Sequence, residues 1–250
     1  MSSAETRRAA RTLGRPGGRL AAVSWLRHAA TLALKDLRVE YRSREIIYTM
    51  AFFAVMVVLM FSFGFLESGP SDALGAAQLA PGFLFIAMLF AGTVGLSRAF
   101  DRERTNDTMR GLLLSPVPRT AIFCGKALAI TAFIIGVQLV VVPAVWFFFE
   151  PPLFTRPLSL VAILLLAAIG FATVGSVFAA MLLRTRSRDV LLPVVLYPLL
   201  LPLLITGVKG VGGIVGNDPG MVAFSIKFIL FYDVLFASVA LWTFESLVIE

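Results

Sequence analysis

Apolar residues in this chain fall into long, nearly uninterrupted runs separated by short polar stretches. A helix needs about 20 apolar residues to cross the roughly 30 Å hydrocarbon core of a bilayer. Six runs reach that length: 46–66, 78–97, 121–149, 158–183, 190–208 and 221–243. Each is predicted as a membrane-spanning helix of a single transmembrane domain, 46–250. Ahead of them, over 23–45, apolar residues recur at Val23, Leu26, Ala30, Ala33, Leu37 and Tyr41, while Arg27, Thr31, Lys35, Arg38 and Arg42 follow a separate stripe. That pattern predicts a helix with one apolar and one basic face, lying in the membrane surface. Residues 1–22, rich in Arg, Gly, Ser and Ala without periodicity, read as a mobile tail. The expected fold class is all-α: an integral membrane protein of six transmembrane helices preceded by an amphipathic interfacial helix.

Composition agrees, since 58% of the 250 residues are hydrophobic and only 15% are charged, against about 45–50% and 25% in soluble domains. A chain so apolar cannot be disordered, and one cysteine, Cys124, cannot staple a disulfide scaffold. The net charge of +7 would suggest nucleic acid in a soluble protein. Its distribution argues otherwise, because 19 of the 22 basic residues lie before the first run, between the second and third, at Lys126, or between the fourth and fifth. Only Arg156, Lys209 and Lys227 fall elsewhere. By the positive-inside rule the N-terminus, the 98–119 loop, the 184–189 loop and the C-terminus are expected in the cytoplasm. No nucleic-acid partner is expected. Arg7-Arg8 lacks the apolar stretch that a twin-arginine signal requires, and an organellar transit peptide is the minor alternative.

The 98–119 loop is the most informative connection. Asp101, Arg102, Glu103, Asp107, Thr108 and Arg110 crowd its first part, Leu112, Leu113 and Leu114 form an apolar knob, and Pro116 and Pro118 end any helix. A short amphipathic helix here would offer a cytoplasmic partner an apolar grip. The fourth run carries Ala168, Ala172, Ser176 and Ala180 at intervals of four, a small-residue face suited to close helix packing and a candidate surface for a second copy. The fifth contains Pro193, Pro198 and Pro202, and is expected to be a kinked or partly unwound hinge. The glycines from Gly207 to Gly220 fit neither a Walker A nor a dinucleotide spacing, and read as a flexible external turn.

Chemistry of the chain's own is not expected. His28 is the only histidine, and no metal cluster or catalytic triad can be built from one His and one Cys. Two ionisable residues fall inside runs. Lys126 is expected to snorkel to the cytoplasmic interface. Asp233 is expected to face the bundle or mark a helix break. Energy would come from a separate ATP-hydrolysing subunit.

Taken together, the interfacial helix, six spans and a charged loop ending Leu-Leu-Leu-Ser-Pro-Val resemble the membrane subunits of ABC-2-type transporters, and more narrowly the haem exporter protein B (CcmB) family. The matching stretches are Ala80-Pro81-Gly82, Phe100-Asp101, 107–116, Lys126, Tyr197-Pro198 through Pro202-Leu203-Leu204-Ile205, Tyr232-Asp233-Val234, Leu241-Trp242 and Phe244-Glu245. One departure is Asp107-Thr108-Met109-Arg110, where the family tends to carry Gly-Thr/Ser-Leu-Glu.

The resemblance implies an ABC-2-type permease fold in the bacterial inner membrane. It implies a non-catalytic subunit of the complex that exports or delivers haem in c-type cytochrome biogenesis, present in two copies. Its partners would be a cytoplasmic ABC ATPase, a haem-handling membrane subunit and a periplasmic haem chaperone. ATP would bind in the partner, haem would be handled by the complex, and this chain would hold no cofactor itself. With its one histidine on the cytoplasmic side, release of haem-loaded chaperone is favoured over carriage of haem through this subunit. The alternatives are a permease for another lipid-like or drug-like substrate, and a passive assembly scaffold.

Overall fold

The structure is a computed structural model that describes residues 18–66, 73–105, 118–182 and 188–247. Seven α-helices occur among the described residues: α1 (Gly18–Ser43), α2 (Glu45–Leu66), α3 (Ala73–Thr105), α4 (Arg119–Phe149), α5 (Pro157–Met181), α6 (Arg188–Val215) and α7 (Pro219–Leu247). The last six each contain a stretch long and apolar enough to cross a membrane. The fold is therefore all-α with six candidate spans.

Close backbone approach holds the bundle together, and glycine permits it. Without a hydrophobic drive between helices in lipid, association rests on van der Waals packing, which favours small residues at contacts. A Cβ on Gly92 of α3 would lie 2.7 Å from the Phe171 ring of α5, and one on Gly175 of α5 would lie 2.8 Å from Leu96 of α3. Met50 of α2 fills the space over Gly95. With Ile46, Ala54 and Val58 it forms a buried stripe of period four against α3.

Helix ends depart from the expected spans in three places. α1 begins at Gly18, inside the stretch expected to be tail. α3 continues to Thr105, so the start of the 98–119 loop is an extension of the second span rather than a separate helix. α6 runs on to Val215, which replaces the expected flexible glycine turn with helix up to a tight turn at 216–218. The reason is packing: Gly207 receives the Phe85 ring of α3, and Gly210 and Gly213 let α7 close in at Ser225 and Val222. The turn itself is built by Asn217, at φ 53°, and by Asp218, whose carboxylate accepts the N–H groups of Gly220 and Met221 at 2.9 and 3.0 Å.

α6 is also continuous through Pro193, Pro198 and Pro202, so the expected unwinding is not observed. The small-residue face of α5 lies inside the protomer. Ala168, Ala172 and Ser176 are buried and Ala180 is half-buried, which removes this stripe as a surface for a second copy.

Candidate functional site

The polar residues of α1 decide how it sits. Its exposed side carries the large apolar residues Leu26, Leu34 and Tyr41. Its buried side is small and acidic, with Ala29, Ala33 and Glu40 buried and Asp36 half-buried. The expected single apolar stripe is therefore split, and Ala30 is exposed while Ala33 is not.

Three contacts dock that buried side on α4. Trp25 donates its indole N–H to Thr120 Oγ1 at 2.9 Å. Gly125 lets the helices touch, since a Cβ there would stand 2.8 Å from Leu32 Cβ and 2.9 Å from the Ala29 carbonyl. Lys126 then reaches Asp36 Oδ2 at 2.5 Å, and Lys35 lies 3.3 Å from Asp36 Oδ1. Lys126 is only 8% exposed, so it turns inward to a carboxylate instead of snorkelling to the interface. A buried ammonium is costly to desolvate, and the nearby carboxylate is what makes that position tenable.

The joint between α1 and α2 is equally specific. Arg44 takes the left-handed conformation, φ 56°, and its N–H donates to the Glu40 carbonyl at 2.6 Å. The Glu40 side chain, 1% exposed, crosses this elbow and accepts the N–H groups of Ile46 and Ile47 at 2.7 and 3.0 Å. Ser43 donates to its other oxygen at 3.3 Å. A carboxylate on the first amides of α2 satisfies donors that have no partner within the helix and meets the positive end of its dipole. The extension of α3 beyond its apolar run joins the same corner through Arg98, 3.9 Å from Glu45, in an exposed pair that adds little stability. Asp101 sits half-buried on that extension, and Arg102 and Glu103 continue its helix. Asp107, Thr108, Arg110, Leu112, Leu113, Leu114 and Pro116 lie outside the described residues.

A second polar group lies at mid-span. Asp233 of α7 is 6% exposed in an unbroken helix and faces the bundle, pressed over Gly170 of α5 beside Leu203 of α6. Neither carboxylate oxygen has a hydrogen-bond partner among the described residues. The adjacent Tyr232 donates its hydroxyl to the Leu199 carbonyl of α6 at 2.8 Å, three residues before Pro202. Gln138 of α4, buried as well, donates to the Leu164 carbonyl of α5 at 3.1 Å and to Met88 Sδ of α3 at 3.2 Å. His28 is exposed on α1. No three His, Cys, Asp or Glu side chains converge among the described residues.

Asp36, Glu40 and Gln138 were not distinguished by the hydropathy pattern. The signal available was local: two acids on a helix otherwise apolar and basic, and one amide inside an apolar run.

The family model of the CcmB protein matches residues 27–247, from the α1 face that docks on α4 to the end of α7. The chain belongs to the CcmB family. Among CcmB relatives, heme exporter protein B of Rhodobacter capsulatus is 29% identical over 207 residues, 79% of this chain and 86% of that protein. The protein of the same name in Pseudomonas aeruginosa is 29% identical over 178 residues, 70% of this chain and 77% of that one. That of Escherichia coli K12 is 30% identical over 94 residues, so the alignment spans 38% of this chain and 41% of the relative's length. With six helices of spanning length, this CcmB chain is a multi-pass membrane protein.

Proposed function

We propose that this chain is the membrane subunit of an ABC-type haem-export complex that serves c-type cytochrome assembly. It converts ATP hydrolysis in a separate cytoplasmic subunit into rearrangement of the bundle. Support for the haem reading comes from the relatives named heme exporter protein B, three of which align over more than three quarters of their own length. The observation that carries the coupling mechanism is the corner where α1, α2, α3 and α4 meet. A force on the helical extension of α3 is passed to the elbow through Arg98 and Glu45, and from α1 to α4 through Asp36 and Lys126.

The ATPase grips the loop that follows Thr105, with Leu112, Leu113 and Leu114 as its apolar contact. The basic end of the bundle, with both termini, faces the cytoplasm of the bacterial inner membrane. Two copies assemble with a haem-handling membrane subunit and a periplasmic chaperone, and the work done is release of the haem-loaded chaperone. His28 supports that last step over haem carriage, because the chain's one histidine is exposed on the interfacial helix and not within the bundle. Arg110, in place of the family's usual acid, calls for a complementary acid on the ATPase.

Co-purification tests the coupling. Replacing Leu112 and Leu113 by Asp should abolish recovery of the ATPase with the intact membrane chain. Recovery at the wild-type level would refute the assigned contact.

A further inference from the structure

A groove runs along the outside of the bundle between α3 and α6, with a cavity volume of about 370 Å³. Gly82, Phe85, Ile86 and Leu89 line it from α3, and Leu201, Leu204, Ile205 and Val208 from α6. Two glycines create it. Gly207 admits the Phe85 ring against the α6 backbone, which sets the floor, while a Cβ on Gly82, one turn nearer the Lys209 end, would meet nothing within 4 Å, which leaves room beside Lys209. Leu201 and Ile205 are each 51% exposed, so the long side of the groove is open on the outside of the bundle.

The lining is apolar except at one end, where Lys209 closes it. Lys209 is exposed and stands six residues before the end of α6, roughly 9 Å along the helix axis at 1.5 Å per residue. From that depth its ammonium can reach the headgroup layer by snorkelling. An apolar slot of this kind, capped by one cation at headgroup level, complements an amphiphile with a single anionic head.

We propose that the α3–α6 groove is a phospholipid site, with one acyl chain against Phe85, Ile86 and Ile205 and the lipid phosphate on Lys209. The charge of Lys209 selects the phosphate, and the absence of His, Cys, Met or Tyr from the lining disfavours haem iron. The site is independent of the haem-export reading. It lies away from the α1–α4 corner and uses none of its residues.

Lys227 provides an internal control. It is also exposed, and the contact of Gly210 with Ser225 sets it at a similar depth on α7, yet it does not line the groove. The full chain would be reconstituted in nanodiscs of phosphatidylglycerol and phosphatidylethanolamine with a trace of phosphatidylglycerol bearing a photoactivatable acyl chain. Cross-linked peptides would then be mapped by mass spectrometry.

The expected adducts fall on Ile86, Leu201 or Ile205. Lys209→Gln should cut their yield about fivefold, the factor for one lysine near a membrane phosphate. Lys209→Arg should retain the yield and Lys227→Gln should leave it unchanged. Gly82→Leu, which enters open space and spares the packing, should displace the chain. A diacylglycerol probe without phosphate should label the groove as weakly as Lys209→Gln does.

Labelling spread evenly over the exposed faces of α2 and α7 would overturn the site. So would a Lys209→Gln yield equal to wild type, or loss of the adducts on addition of haemin or of a second protein chain.

Discussion

A lysine near the end of an apolar run is ordinarily free to snorkel, yet Lys126 turns inward because Asp36 waits on a helix ninety residues earlier in the chain. The pair has a measurable signature. Lys126→Met leaves a largely shielded carboxylate with only the exposed Lys35 beside it and should cost about 3 kcal/mol, the low end for a broken buried pair, while the double variant Asp36→Asn with Lys126→Met should recover most of that loss. Denaturation of the purified protein in detergent reads both, and equal losses in the single and double variants would dissolve the pair. Glu40→Ala removes a cap from α2 and should cost at least about 1 kcal/mol in the same assay. Asp233 differs from both, since its oxygens have no partner among the described residues. Asp233→Asn should therefore unfold no earlier than wild type, and a drop of several degrees would show that the carboxylate is held. The hydropathy pattern marked Lys126 and Asp233 as unusual but could not reveal their surroundings, because what they meet lies on other helices.

Among elements, the number and type of helices follow from run length, since only a helix satisfies its own backbone in lipid. Their ends do not, because hydropathy is silent where packing governs. α6 outlasts its apolar run as glycines that look like a turn are used to seat Phe85, Ser225 and Val222. The prolines of α6 likewise leave it helical, and Tyr232 of α7 ties the same stretch by donating to the Leu199 carbonyl. Hydrogen bonds between membrane helices average about 0.6 kcal/mol, so Tyr232→Phe should barely change stability. If α6 flexes at these prolines during turnover, Pro198→Ala with Pro202→Ala should keep the fold and slow ATP-driven activity of the reconstituted complex. Unaltered activity would remove α6 as the moving part.

For the whole molecule, alternation of the six spans puts the strongly basic connections at one end, and the family match over 27–247 assigns the chain to CcmB. The corner joining α1, α2, α3 and α4 was only half legible. Its basic residues and the α3 extension stand out as charge, whereas the acids that lock it are two residues in a basic background. In a Cys124→Ser background, a cysteine at Asn217 should react with an impermeant maleimide in spheroplasts and one at Thr108 should not. The reverse pattern would invert the orientation. The decisive measurement is ATP hydrolysis by the partner ATPase reconstituted with this chain in nanodiscs, together with release of haem-loaded chaperone. Coupling through the 98–119 loop predicts that the wild-type chain changes the hydrolysis rate and supports ATP-dependent release, and that Leu112→Asp with Leu113→Asp loses both. Hydrolysis and release that are the same with and without this chain would contradict it.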